Sequence, residues 1–276
     1  MISDRNTATR RIVQLNVLVA VLVNLYFLIT DSPAPWDWLG FSLPTFLSGA
    51  FWQPFTYMWM HAPLVGLGVI HILFNMLTLH FVGRVIENHL GAKRLLIIYF
   101  FGGFTSILLF SAEKMGINAL VGLPLSTQAV PLVGASGSLC ALIAVFALLF
   151  PNTKVFLMFI PIPIKARTML YGFCLFSLLA ILFGWMNFVS HSAHLGGILF
   201  GWLYFLKFQS RPGQPRIDTS FRQVSPEQMI SWEINTLSTQ ELGSEFRVIQ
   251  KKLRENPEVE LSLREKLILK RVQELL

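Results

Sequence analysis

Cysteine and charge are both scarce in this 276-residue chain. The two cysteines, Cys140 and Cys174, stand alone inside apolar stretches, so no disulfide framework or thiolate metal site is encoded. Charged residues make up 13% of the sequence, about half the ~25% of ordinary soluble domains. That shortage excludes a conventional soluble globular protein. It also excludes reading the formal charge of +7 as a nucleic-acid surface, because the basic residues fall in short clusters between apolar runs. No small-x-small cleavage pattern follows the first apolar run, which therefore reads as a retained span rather than a removed signal. Internal repeats are missing and the apolar runs hold no acid, which weighs against a transporter or a cation pathway.

What is present is hydrophobicity, at 54% of residues, with a mean hydropathy of +0.58. Six apolar runs, at 12–30, 66–86, 94–112, 134–150, 168–185 and 193–208, are long enough to cross a hydrocarbon core of about 30 Å. The expected fold class is all-α, a polytopic membrane protein of six transmembrane helices. Arg5, Arg10 and Arg11 precede the first run; Arg84, Lys93 and Arg94 lie between the second and third; Lys154, Lys165 and Arg167 lie between the fourth and fifth. On the other side, 31–65 and 186–192 carry no lysine or arginine and 113–133 carries only Lys114. The positive-inside rule then puts both termini in the cytoplasm. Residues 1–11 form a cytoplasmic N-terminus too short for a transit sequence, so the expected location is a bacterial inner membrane. Residues 12–208 form the membrane domain, 209–224 a linker signalled by "RPGQPR", and 225–276 a small cytoplasmic helical appendage starting at Ser225 and Pro226, with further helices near 243–254 and 261–275.

Two connecting segments carry their own signals. Residues 31–65 are dense in aromatics, including Trp36, Trp38, Trp52 and Trp59, as expected of a segment lying in the outer headgroup layer. Residues 151–167 are apolar but proline-interrupted, which points to a hairpin dipping into the cytoplasmic face rather than to a helix.

Polar side chains inside spans are expensive and read first as functional. The second run holds His71 and Asn75, four apart and so on one helical face. The fourth opens on Gly134-x-Ser136-Gly137, and the sixth on His194. In the orientation set by the charges, all of these lie near the outer side at similar depth. Ser136 and His194 could pair as nucleophile and base, since a hydroxyl attacks only when a base takes its proton. Side chains of His71 and Asn75, with the Ser136 backbone N–H at a helix start, could stabilise a developing oxyanion. An acid to complete a triad is not evident, which leaves a dyad. Plainer readings stand beside this one. A lone serine in a span bonds back to a carbonyl, a lone histidine joins a packing network, and Gly197-x-x-x-Gly201 lets helices approach closely.

Taken together, these residues resemble the rhomboid intramembrane serine proteases. The resemblance runs over roughly 50–205 and rests on His71-x-x-x-Asn75, on Glu87, Gly91 and Arg94, on Gly134-x-Ser136-Gly137, and on Ala193-His194-x-x-Gly197-x-x-x-Gly201. One departure is Trp52-Gln53, where many members carry Trp-Arg. The resemblance implies a Ser136–His194 dyad with His71, Asn75 and the Ser136 amide as oxyanion donors, and packing or motif roles for Gly134, Gly137, Gly197 and Gly201. It implies hydrolysis of peptide bonds in or beside the membrane segment of single-span substrates, without metal or cofactor, and lateral substrate access beside the fifth span. Membrane lipids are the other expected partners, and nucleic acid is not one. A catalytically silent chaperone or adaptor that binds client helices is the alternative, a transporter a more distant one.

Overall fold

The computed structural model describes residues 7–121, 131–157, 160–186, 189–209, 239–256 and 258–275, together with 230, 234 and 237. The chain divides into two compact units, Met1–Ile217 and Asp218–Leu276. Most of the predicted linker, and the helix start at Ser225 and Pro226, lie outside the described residues.

In the first unit each apolar run lies on a helix. Helix α1 (Ala8–Thr30) begins at Thr7, whose side chain accepts from the Arg10 amide. Its other free amides are taken by Glu87: Oε1 accepts from Ala8 N at 2.7 Å, and Oε2 from Thr9 N at 2.9 Å and Thr9 Oγ1 at 2.6 Å. A carboxylate is thereby placed at a helix N-terminus, where unpaired N–H groups and the helix dipole favour it.

The outer segment is built from α2 (Ala34–Leu39), α3 (Leu43–Leu47), α4 (Gln53–Thr56) and a 3₁₀ turn (Tyr57–Trp59). It lies less on the surface than its composition suggests. Trp36 is buried and donates to the His61 carbonyl at 2.7 Å, and buried Tyr57 donates to the Gly103 carbonyl at 2.7 Å. Trp38 and Phe51 remain exposed. Gln53 is buried, its Oε1 accepting from Ser42 N at 3.1 Å and Thr45 Oγ1 at 2.9 Å and its Nε2 donating to the Asp37 carbonyl at 3.3 Å. Where the related motif has arginine, this side chain pins the outer segment from within.

Helix α5 (Leu67–Thr78), a π turn (Leu79–Gly83) and α6 (Arg84–Leu90) form one continuous rod. Helix α7 (Ala92–Val121) follows, then α8 (Ser136–Leu149), α9 (Ala166–Phe183) and α10 (His191–Gln209). Four helices among the described residues, Ala8–Thr30, Leu67–Leu90, Ala92–Ile117 and Ala166–Phe183, are long and apolar enough to cross a membrane, and Ser136–Leu149 is a shorter apolar helix. Between α8 and α9, β1 (Lys154–Leu157) and β2 (Ile160–Lys165) pair antiparallel, with Lys154 opposite Lys165 and Val155 opposite Ile164. The predicted hairpin is thus a β-ribbon, the one pair of strands among the described residues; both of its strands are edges, where proline is tolerated.

Helix α8 is the centre of the core. Eleven of its 14 residues are buried, whereas α1 leaves Leu18, Leu22, Leu28 and other large apolar side chains exposed, as a lipid-facing helix would. Glycines let the neighbours of α8 close on it. A methyl group at Gly102 of α7 would stand 2.4 Å from Ala141 Cβ, one at Gly137 of α8 2.3 Å from Ser106 Oγ, and one at Gly201 of α10 2.5 Å from the Ala141 carbonyl oxygen. Without a hydrophobic force between helices in lipid, such backbone approach is what binds them.

The second unit is small. Helices α11 (Thr239–Glu255) and α12 (Leu263–Gln273) bury Leu242 and Ile249 against Ile268, with Ile234 alongside. Helix α12 opens with a reciprocal capping box between Ser262 and Glu265. Lys252 Nζ donates to Glu265 Oε1 at 2.9 Å, and Arg264 bridges to Glu245 at 2.7 Å.

Candidate active site

The turn that leads into α8 is built around Gly134. Its φ of +119° lies in the region that L side chains avoid, and its N–H donates to the Tyr57 carbonyl at 3.0 Å. A methyl group there would also stand 3.0 Å from His71 Cε1, 3.1 Å from His71 Nε2 and 3.7 Å from Ser136 Oγ. An added β-carbon would press on the imidazole and force it to shift beside the hydroxyl.

Ser136 is the first residue of α8, and His194 stands in the first turn of α10. Their side chains meet across 58 residues of sequence, His194 Nε2 lying 2.9 Å from Ser136 Oγ. The contact depends on the seam between the two helices. A methyl group at Gly197, one turn beyond His194, would lie 2.0 Å from the carbonyl oxygen of Gly137, the neighbour of Ser136. Phe173 of α9 covers the His194 ring with centroids 5.7 Å apart.

Helix α5 supplies His71 and Asn75 on one face. Asn75 is 5% exposed, and its Nδ2 has no hydrogen-bond partner among the described residues. Buried donors are nearly always paired, so one left open, a helical turn from His71, is suited to an oxygen that arrives with a ligand. Behind His71 lies His61, its ring centroid 5.4 Å away. Burial, reinforced by the His71 ring, pushes the His61 imidazole down to about 4, so it is neutral at physiological pH. It falls in the aromatic-rich segment 31–65, whose composition points to the surface layer, yet it is 1% exposed.

Ser136, His194 and His71 meet around Gly134, Asn75 lies one turn below His71, and Gly137, Gly197 and Gly201 line the helix seam that carries the pair. Three neighbours escaped the sequence reading. His61 and Phe173 carried no local signal. Glu113 did: it is an acid directly after an apolar run, and it accepts a hydrogen bond from Ser192 Oγ at 2.5 Å, two residues from His194.

Comparison with known proteins bears on the whole of this region. A family model described as the rhomboid domain matches residues 48–211. RHOMBOID-like protein 1 of Arabidopsis thaliana is 33% identical over 165 residues, 58% of this chain and 35% of the relative. Presenilin-associated rhomboid-like protein A, mitochondrial, of Danio rerio is 31% identical over 130 residues, 47% of this chain and 31% of the relative. Rhomboid protein 1, mitochondrial, of Saccharomyces cerevisiae is 30% identical over 129 residues, 46% of this chain and 34% of the relative. The chain thus spans about a third of the length of these relatives. These three are eukaryotic and two are named mitochondrial, so they lend no weight to a bacterial location. The family match covers more than half of the sequence, and the chain, a multi-pass membrane protein, belongs to the rhomboid family.

Proposed function

We propose that the protein is an intramembrane serine endopeptidase that hydrolyses peptide bonds in or next to the membrane segment of single-span proteins. The observation that carries this reading is the 2.9 Å approach of His194 Nε2 to Ser136 Oγ; the buried amide donor Asn75 Nδ2, without a partner among the described residues, supports it. His194 takes the hydroxyl proton as Ser136 Oγ attacks the scissile carbonyl, then delivers that proton to the leaving amine. Asn75 Nδ2, His71 and the Ser136 backbone N–H receive the negative charge that develops on the carbonyl oxygen. Water then hydrolyses the acyl-enzyme, with His194 again as base.

The wider assignment goes with this chemistry: six spans, both termini on the basic cytoplasmic side, and an aqueous opening to the opposite face. Helix α9 leaves Tyr171, Leu175 and Leu182 exposed and covers His194 through Phe173, which supports substrate access beside that helix. The test is cleavage of a single-span substrate by purified protein. Wild type cleaves and is labelled by a fluorophosphonate probe; Ser136→Ala does neither, and His194→Ala is not labelled. Cleavage that persists in Ser136→Ala refutes the proposal, and a folded wild type that never labels favours the client-binding alternative.

A further inference from the structure

We infer that Glu113 is a positioning residue for the Ser136–His194 pair, tying the first turn of α10 to the outer end of α7; this deepens the peptidase reading and rests on it. Helix α10 starts at His191, and its first turn carries Ser192 and His194. Ser192 is 5% exposed, and its hydroxyl donates to Glu113 Oε2 at 2.5 Å across 79 residues of sequence. The Glu113 side chain is only 20% exposed, so water does little to weaken that charge-assisted bond.

Lower on the same seam the two helices touch through backbone. A methyl group at Gly196 would lie 2.5 Å from the Thr105 carbonyl oxygen and 2.8 Å from Ser106 Cα. Packing fixes the seam at that level, and Glu113 fixes its outer end, where the first turn of α10 has no preceding turn to hold it. A carboxylate there also suits the positive end of the helix dipole. Lys114, 3.7 Å from Glu113, compensates part of the charge from the exposed side. His191 lies in the same turn, its ring centroid 6.3 Å from that of His194 and 5.6 Å from that of Phe176. His191 also interacts with the Trp185 backbone and with the Glu113 carboxylate, so it is a second polar neighbour of the same turn. The Ser192–Glu113 bond joins the turn presenting His194 directly to α7 and so sets its depth and rotation.

The test uses the full chain, purified in detergent, and a fluorophosphonate probe whose labelling of Ser136 is resolved into a maximal rate and a binding constant. Glu113→Ala and Ser192→Ala each lower the maximal rate about tenfold, the scale expected when a reacting group is displaced by a fraction of an ångström, and leave the binding constant unchanged. Glu113→Gln, which keeps an acceptor oxygen, recovers most of the rate. The double alanine variant is no slower than either single one, because both remove the same bond. Wild-type rates in both single variants overturn the inference, as does a double variant whose losses multiply, or a glutamine variant as slow as alanine. Ser192→Ala removes one hydroxyl and carries the test if Glu113→Ala fails to fold. Equal labelling of wild type and Ser136→Ala would instead defeat the peptidase reading itself, a result distinct from all of these.

Discussion

Replacing Gly197 by alanine tests whether one seam supports both stability and the Ser136–His194 contact. The added methyl carbon would stand 2.0 Å from the Gly137 carbonyl oxygen and 3.0 Å from its carbonyl carbon, where ordinary contact begins at 3.4 Å. The obstacle is backbone in the middle of a buried helix, so no rotamer change relieves it. Helices α8 and α10 must therefore part by about 1 Å or more. Overpacking of this kind costs ~1–3 kcal/mol, and a backbone obstacle belongs at the upper end. At ~2–4 °C per kcal/mol for a chain of this size, the loss is roughly 6–12 °C in denaturation temperature. The same separation acts on the site, since Gly137 adjoins Ser136 and Gly197 lies one turn from His194. A shift of about 1 Å between reacting groups lowers rates by up to ~100-fold. Gly172→Ala is the control: it also places an alanine in a helix, but nothing lies within 4 Å of the new methyl group. Thermal denaturation in detergent and fluorophosphonate labelling, run on both variants, give the comparison. If Gly197→Ala kept wild-type stability and labelling rate, or matched Gly172→Ala in both, the close-seam account would be wrong.

Two further outcomes follow from other contacts. On the proposed chemistry Asn75→Ala removes an oxyanion donor, so kcat for a single-span substrate falls by about 10²–10³ while KM holds; a rise in KM at constant kcat would assign Asn75 to substrate binding. In the second unit, hydrogen bonds from Lys252, and then from the Ser262 backbone and side chain, hold the Glu265 carboxyl down at about 2, below its ordinary 4.5. A depressed carboxyl stabilises the fold above its unfolded pKa, and that contribution fades as pH falls through the folded value. Glu265→Gln therefore raises amide exchange around Ser262 above about pH 5, and the difference from wild type closes between there and about pH 2. A difference that persists at pH 2 would refute the role of the charge.

Where local pattern dictates structure, the sequence was readable. Six apolar runs announced six helices, and His71 and Asn75 share a face because four residues make one turn. Ser136 and His194 stood out because polar groups are costly in apolar runs, though their 2.9 Å contact is a fact of tertiary packing. Other features had no local cause to read. The π turn at Leu79–Gly83 lies in a segment whose residues would serve equally in an α-helix. The proline-rich connection declared itself non-helical, but strand pairing is a property of two segments, not one. Trp36 and His61 lie in a segment whose composition points to the headgroup layer, yet both are buried, because that segment folds back on itself and the helices. Glu113 was the avoidable miss: helix α7 runs to Val121, well past its apolar stretch, so the acid sits on a helix rather than in a loop.

Helix α8 is wrapped by its neighbours along most of its length, while Ser136 at its start stays only partly covered. Fourteen residues rise about 21 Å, less than the ~30 Å of hydrocarbon around them. A bilayer that thickens or thins presses on the outer helices, which can tilt, while α8 meets protein along most of its surface. Changing lipid composition should therefore alter how readily a substrate reaches the hydroxyl far more than how fast the hydroxyl reacts once reached.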